Sequence, residues 1–185
     1  MKNILIVVDM QKGFQRNEIT KKTAQDICKL LELKLFDGVI ATRFINSPQS
    51  QYFQWLNWKR LLSSPDTDLE EGIANNSDFV VDKYIYNSVN DELLSCLKLL
   101  NDGVNPEYVF ICGVDTDCCV QITATNLFET GIHPIVLTKY CSSNAGEESH
   151  LAGLKVLRRL IGPKHLIEGE ISSKEDLKTT LDTVL

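Results

Sequence analysis

The chain begins with Ile4-Leu5-Ile6-Val7-Val8, five consecutive apolar residues of high strand propensity, followed at once by Asp9. A strand with no polar side has no face to give to water and must be covered on both. Short apolar runs of the same kind return at 38–43, 108–112 and 133–137, with stretches of helical period between them. Parallel strands sandwiched between crossover helices account for that alternation.

The spacing predicts a helix over 21–35, a second strand over 38–43, a helical aromatic segment over 52–62 and a third strand over 78–81. Asn90 is read as the cap of a helix running to residue 100. A fourth strand over 108–112 precedes a helix over 119–129 that Gly131 stops, and a fifth strand covers 133–137. Glu147–Leu160 carries Leu151, Leu154 and Leu157 on one helical face, with Gly162-Pro163 beyond it, and Leu166–Ile167 forms a short sixth strand. Residues 1–185 read as a single three-layer α/β/α domain.

The 19 basic and 25 acidic residues leave a net charge of −6 with no run of either sign, which argues against nucleic acid as a partner, since phosphate binding needs a basic patch. The longest apolar runs are strand-sized, well short of the ~20 residues of a membrane span, so no membrane partner is expected. The six cysteines, Cys28, Cys96, Cys112, Cys118, Cys119 and Cys141, show no C-x-x-C pair and no zinc spacing, and the N-terminus does not resemble a signal peptide. Reduced thiols and a cytoplasmic location are expected.

In an open parallel sheet, ligands bind beyond the carboxyl ends of the strands. Asp9 follows the first strand, Lys83 the third, and Cys119 lies in Gly113-Val114-Asp115-Thr116-Asp117-Cys118-Cys119-Val120 after the fourth. Taken singly, each has an ordinary structural use as a turn former, a solvated cation or a small core residue. Together they bring a base, a cation and a thiol to one edge. A helix start favours thiolate at Cys119, Asp115 and Asp117 oppose it, and Lys83 would tip the balance.

Asp9-Met10-Gln11-Lys12-Gly13-Phe14 resembles the D-M-Q-x-x-F start of the isochorismatase-like cysteine hydrolases, a group that includes nicotinamidases and N-carbamoyl amidases. The segment Gly113 to Val120, with Thr123-Ala124 after it, resembles that family's nucleophile segment. The resemblance implies a six-stranded parallel sheet of order 3-2-1-4-5-6 and a catalytic triad of Asp9, Lys83 and Cys119. It also implies a cis peptide between Val114 and Asp115, and an oxyanion hole formed by the backbone N–H groups of Asp115 and Cys119. The implied activity is cleavage of a C–N bond in a small amide or carbamoyl substrate through a thioester, with Asp9 relaying the proton. No cofactor is implied, and a homo-oligomer, dimer or tetramer, is expected.

Departures from the family pattern narrow the reading. Nicotinamidases carry an Asp-x-His…His metal set after the second strand, whereas this chain reads Ala41-Thr42-Arg43-Phe44-Ile45-Asn46 and has no histidine before His133. No metal is therefore expected, and nicotinamide becomes a doubtful substrate. True isochorismatases tend to lack the nucleophilic cysteine, so Cys119 favours an acyl substrate. Phe14 is expected to wall the pocket by resemblance, and Phe44, Trp55, Trp58 and Tyr86 by position, while Arg43 is open to pairing with a substrate carboxylate. His133, His150 and His165 are not needed as bases.

Three rivals stand beside this reading. A catalytically silent relative could bind a partner protein through the aromatic segment around Trp55. A nucleotide-binding doubly wound domain fits the alternation but has neither G-x-G-x-x-G nor a P-loop. A redox role for the adjacent Cys118 and Cys119 lacks the C-x-x-C that usually carries it.

Overall fold

Strand β1 (Ile4–Val8) is buried along its whole length because it lies in the middle of the sheet, with parallel neighbours on both sides. The computed structural model describes residues 2–184. Its other strands are β2 (Gly38–Phe44), β3 (Phe79–Lys83), β4 (Tyr108–Val114), β5 (His133–Ser142) and β6 (Leu166–Ile167). All pairings are parallel and the order is 3-2-1-4-5-6.

The helices are α1 (Glu18–Glu32), α2 (Gln51–Gln54), α3 (Glu71–Ala74), α4 (Asp91–Leu100), α5 (Gln121–Glu129), α6 (Glu147–Leu160) and α7 (Lys174–Val184). Helix α1 packs on β4 and β5, α5 and α6 on β5, and α4 on β3. None of the helices described is long and apolar enough to cross a membrane.

Several boundaries differ from the sequence expectation, each for a local reason. Helix α1 starts at Glu18 because Asn17 and Thr20 form a reciprocal capping box, and it stops at Glu32 before Lys34 takes φ +51°. The aromatic segment 52–62 is not a helix beyond α2. Asn57 and Leu61 adopt positive φ, and the Asn46 amide donates to the carbonyls of Trp58 and Arg60, holding an irregular loop. Aromatic residues at 52, 55 and 58 mimic a helical stripe, but the backbone turns between them. Strand β3 extends to Lys83, so the lysine ends the strand instead of following it. Helix α7 was not anticipated; its buried face, Leu177, Thr180 and Val184, is brief and interspersed with polar residues.

Two glycines set the geometry of the site edge. Gly113 in β4 has φ +121°, and a Cβ there would lie 2.1 Å from the Val8 carbonyl oxygen, so only glycine lets β4 close on β1 at this level. In α6, a Cβ on Gly153 would lie 2.7 Å from the Asp117 Cα, which fixes how near this helix comes to the turn after β4.

Candidate active site

The site lies beyond the carboxyl ends of β1, β3 and β4. Asp9 leaves β1 with φ +51°, and its side chain is fully buried. Thr42 of β2 anchors it twice: the Thr42 hydroxyl donates to Asp9 Oδ1 at 2.7 Å and accepts from the Asp9 amide at 3.2 Å. Gln11, also fully buried, accepts from the Phe44 amide at 2.7 Å and donates to the carbonyls of Phe44 and Thr67. It thereby ties the chain after Asp9 to the end of β2.

The strand register brings Lys83, at the end of β3, opposite Phe44. Its Nζ stands 2.8 Å from Asp9 Oδ2, with the two side chains 1% and 0% exposed, and donates to the Ile85 and Tyr86 carbonyls at 3.2 and 2.7 Å. Burial alone would lower the Lys83 pKa, but Asp9 and Cys119 outweigh it, so the ammonium is held above its ordinary value and stays charged. A buried ion pair of this kind needs its supplementary hydrogen bonds to offset desolvation.

Cys119 lies in a turn of π-helix, Thr116–Val120, that runs directly into α5 and follows a cis peptide between Val114 and Asp115. Single π turns are frequent at functional sites. The Cys119 thiol is pushed well above its ordinary value by hydrogen bonding with Cys118, then by burial and by Asp9, against which Lys83 pulls. The same hydrogen bond draws Cys118 downward. The two thiols therefore titrate as a pair, and the proton of Cys119 is retained until a base removes it.

A cavity of about 270 Å³ opens onto Cys119. Phe14, Phe44, Tyr52, Trp58 and Tyr86 form its walls, Asp115, Cys118 and Cys119 the side next to β4, and the exposed Arg16 and Leu56 also line it. The rings are mutually braced: Phe14 and Trp58 stack at 5.8 Å, and Tyr52 meets Phe44 and Tyr86 edge-on at 5.2 and 4.8 Å. Burial and the neighbouring Cys118 push the Tyr86 hydroxyl up to about 12, so it stays neutral.

Phe14, Phe44 and Tyr86 thus reach the cavity, but Trp55 does not. It is 78% exposed and faces an adjoining concavity shared with Tyr84 and Ile85. Arg43 is not turned toward a substrate either, because both carboxylate oxygens of Asp82 hold its guanidinium, at 2.6 and 3.0 Å.

The sequence reading missed Thr42, Tyr52 and Asn144. Asn144 follows β5 and donates to Asp115 Oδ1 from its backbone at 2.8 Å and from its amide at 2.7 Å. No local signal marks these residues, since each acts across strands far apart in sequence. His150 bonds Thr116 at 2.8 Å and His165 meets the Pro134 carbonyl at 3.0 Å, so both have structural partners.

Among the described residues no group of three or more His, Cys, Asp or Glu side chains is arranged to hold a metal ion. After β2 the chain offers Ile45 and Asn46, whose amide is already committed to Trp58 and Arg60. This donor set does not fit a metal. All cysteines are free thiols.

Residues 3–165 match the family model described as the isochorismatase domain. Among solved structures, an isochorismatase-like hydrolase from Alkaliphilus metalliredigens is similar with a TM-score of 0.77 and 18% identity, covering 98% of this chain and 100% of that one. The N-carbamoylsarcosine amidase of Thermoplasma acidophilum gives 0.72 and 20%, covering 94% and 100%. The pyrazinamidase of Pyrococcus horikoshii, solved with zinc, gives 0.67 and 21%, covering 92% and 100%. None of the curated proteins matches the chain significantly in sequence.

Proposed function

Because this chain belongs to the isochorismatase family, we propose that it is a hydrolase cleaving the C–N bond of a small amide or carbamoyl compound through a thioester on Cys119. The observation that carries the reading is the convergence of three groups in one water-poor site. Asp9 and Lys83 are paired at 2.8 Å, and both charges act on the Cys119 thiol at the end of the aromatic cavity. The amidase and pyrazinamidase among the structural neighbours favour a C–N bond as the one broken.

The steps follow from the residue types. The raised pKa of Cys119 means that attack requires a base, and Asp9 is the carboxylate in place to take the thiol proton. Sulfur attacks the carbonyl carbon, and the resulting oxyanion is received by the backbone N–H groups of Asp115 and Cys119. Asp9 returns the proton to the departing nitrogen, leaving a thioester and a free amine or ammonia. Water, deprotonated by the same carboxylate, then attacks the thioester, and the proton goes back to the Cys119 sulfur as the acid leaves. Lys83 keeps its charge throughout, balancing Asp9 and stabilising the developing thiolate.

The test is intact-mass analysis during turnover of small amides, with peptide mapping of any acyl adduct. An adduct on Cys119, lost together with turnover in Cys119→Ala, supports the reading. Turnover that survives Cys119→Ala would overturn it.

A further inference from the structure

We propose that Asp115 is a specificity residue that selects amides carrying a positive charge on the end remote from the scissile bond. The inference rests on the amidase reading above and names the substrate class of that same cavity. Asp115 contributes its backbone to the turn around Cys119, is one of the residues lining the cavity, and carries a carboxyl there. Asn144 holds Oδ1 with two donors, which fixes the carboxyl in one orientation. Among the described residues no cation pairs with this carboxyl, and no donor is aligned on Oδ2.

The remaining charges leave Asp115 unbalanced. Asp9 and Lys83 neutralise each other at 2.8 Å, and the Tyr86 hydroxyl stays neutral. Arg16, the other charged group at the cavity, is exposed at the rim, where water and salt screen it. The aromatic walls supply no charge of their own to offset the carboxylate. A fixed, unpaired carboxylate in an aromatic-walled cavity attracts an ammonium or amidinium and repels a carboxylate. The cavity of about 270 Å³ has room for a small molecule of this kind.

The experiment compares three primary amides of nearly equal size, γ-aminobutyramide, pentanamide and glutaramate, whose tails are cationic, neutral and anionic. The cationic amide is expected to have a kcat/KM about tenfold or more above the neutral one, with the anionic amide lowest. In Asp115→Asn both rates are free to fall, but the cationic-to-neutral ratio is expected to drop about tenfold, mainly through KM. A residue that merely anchors Asn144 would lower all three alike. Calorimetric titration of Cys119→Ala with the same amides separates the two levels of inference. Absence of turnover with cation-selective binding would count against the hydrolase alone, leaving the selectivity in place. Equal or preferential binding of the neutral or anionic amide, an unchanged ratio in Asp115→Asn, or glutaramate preference lost in Arg16→Ala would overturn the role of Asp115.

Discussion

Lys83 meets Asp9 at 2.8 Å across the β1–β2–β3 edge, and both side chains are shut off from water. The ammonium's hydrogen bonds to the Ile85 and Tyr86 carbonyls offset part of the cost of burying the pair. Under the proposed mechanism the same pair also serves the chemistry, so removal of either partner is expected to lower both stability and turnover.

Lys83→Met leaves the Asp9 carboxylate buried without its cation, and unfolding free energy is expected to fall by about 3–5 kcal/mol. Adding Asp9→Asn removes the stranded charge and recovers a large part of that loss, while activity stays absent in both. Urea denaturation of the two single variants and the double variant, with turnover measured in parallel, checks this. A double variant no more stable than Lys83→Met would show that the pair is not the source of the loss.

Cys118 and Cys119 are expected to behave oppositely toward electrophiles and substrate. Cys118 is half-buried and drawn downward in pKa, whereas Cys119 is buried and pushed up. A small alkylating reagent at neutral pH should therefore modify Cys118 first in the absence of substrate. Turnover discriminates the other way: Cys119→Ala is expected to lose about a thousandfold or more in kcat/KM, and Cys118→Ala about tenfold at most. Peptide mapping of the label against rates for the two variants tests both halves.

Gly113→Ala would place a Cβ 2.1 Å from the Val8 carbonyl at φ +121°, a backbone clash that no rotamer relieves. A loss of about 3 kcal/mol or more is expected, with the β1–β4 edge displaced and activity lost. Gly131→Ala is the control. It has φ +85° but nothing within 4 Å of the added carbon, so only the conformational penalty of about 1–2 kcal/mol applies. Thermal and chemical denaturation of the two variants should keep this order.

Burial pushes the Asp115 carboxyl up to about 6, against 3.8 for the free side chain, while the two Asn144 hydrogen bonds pull it down. Between those values the folded chain holds a proton that the unfolded chain has released, so this group makes stability fall as pH rises from about 4 to about 6. Above that range its contribution is constant. Asp115→Asn should flatten this part of the profile in denaturation curves collected at a series of pH values, and an unchanged slope would assign the effect to another group.

How much of this was legible in the chain differs from residue to residue. Ile4–Val8 declares a doubly covered strand by composition alone, and Asn17 and Asn90 cap helices through contacts three residues away. The motif around Asp9 and the segment around Cys119 point to the site because their residue types and local turns are written contiguously. The aromatic segment misled because residues 52, 55 and 58 carry a helical period while Asn46, outside the segment, holds the loop.

The parallel α/β layering and the residues from which a nucleophilic site could be built are written along the chain, since both follow from period, propensity and adjacency. Which partners those residues have is set by the assembled fold. Lys83 became a buried cation because the β2–β3 register sets it opposite Phe44, and Arg43 is engaged by Asp82 on the neighbouring strand. Asp115 became a fixed carboxyl in an aromatic cavity because Asn144 arrives from the end of β5. Local interactions choose helix or strand within a few residues. Ion pairs, cavity walls and pKa shifts depend on distances between segments far apart in sequence, and those exist only once the sheet has assembled.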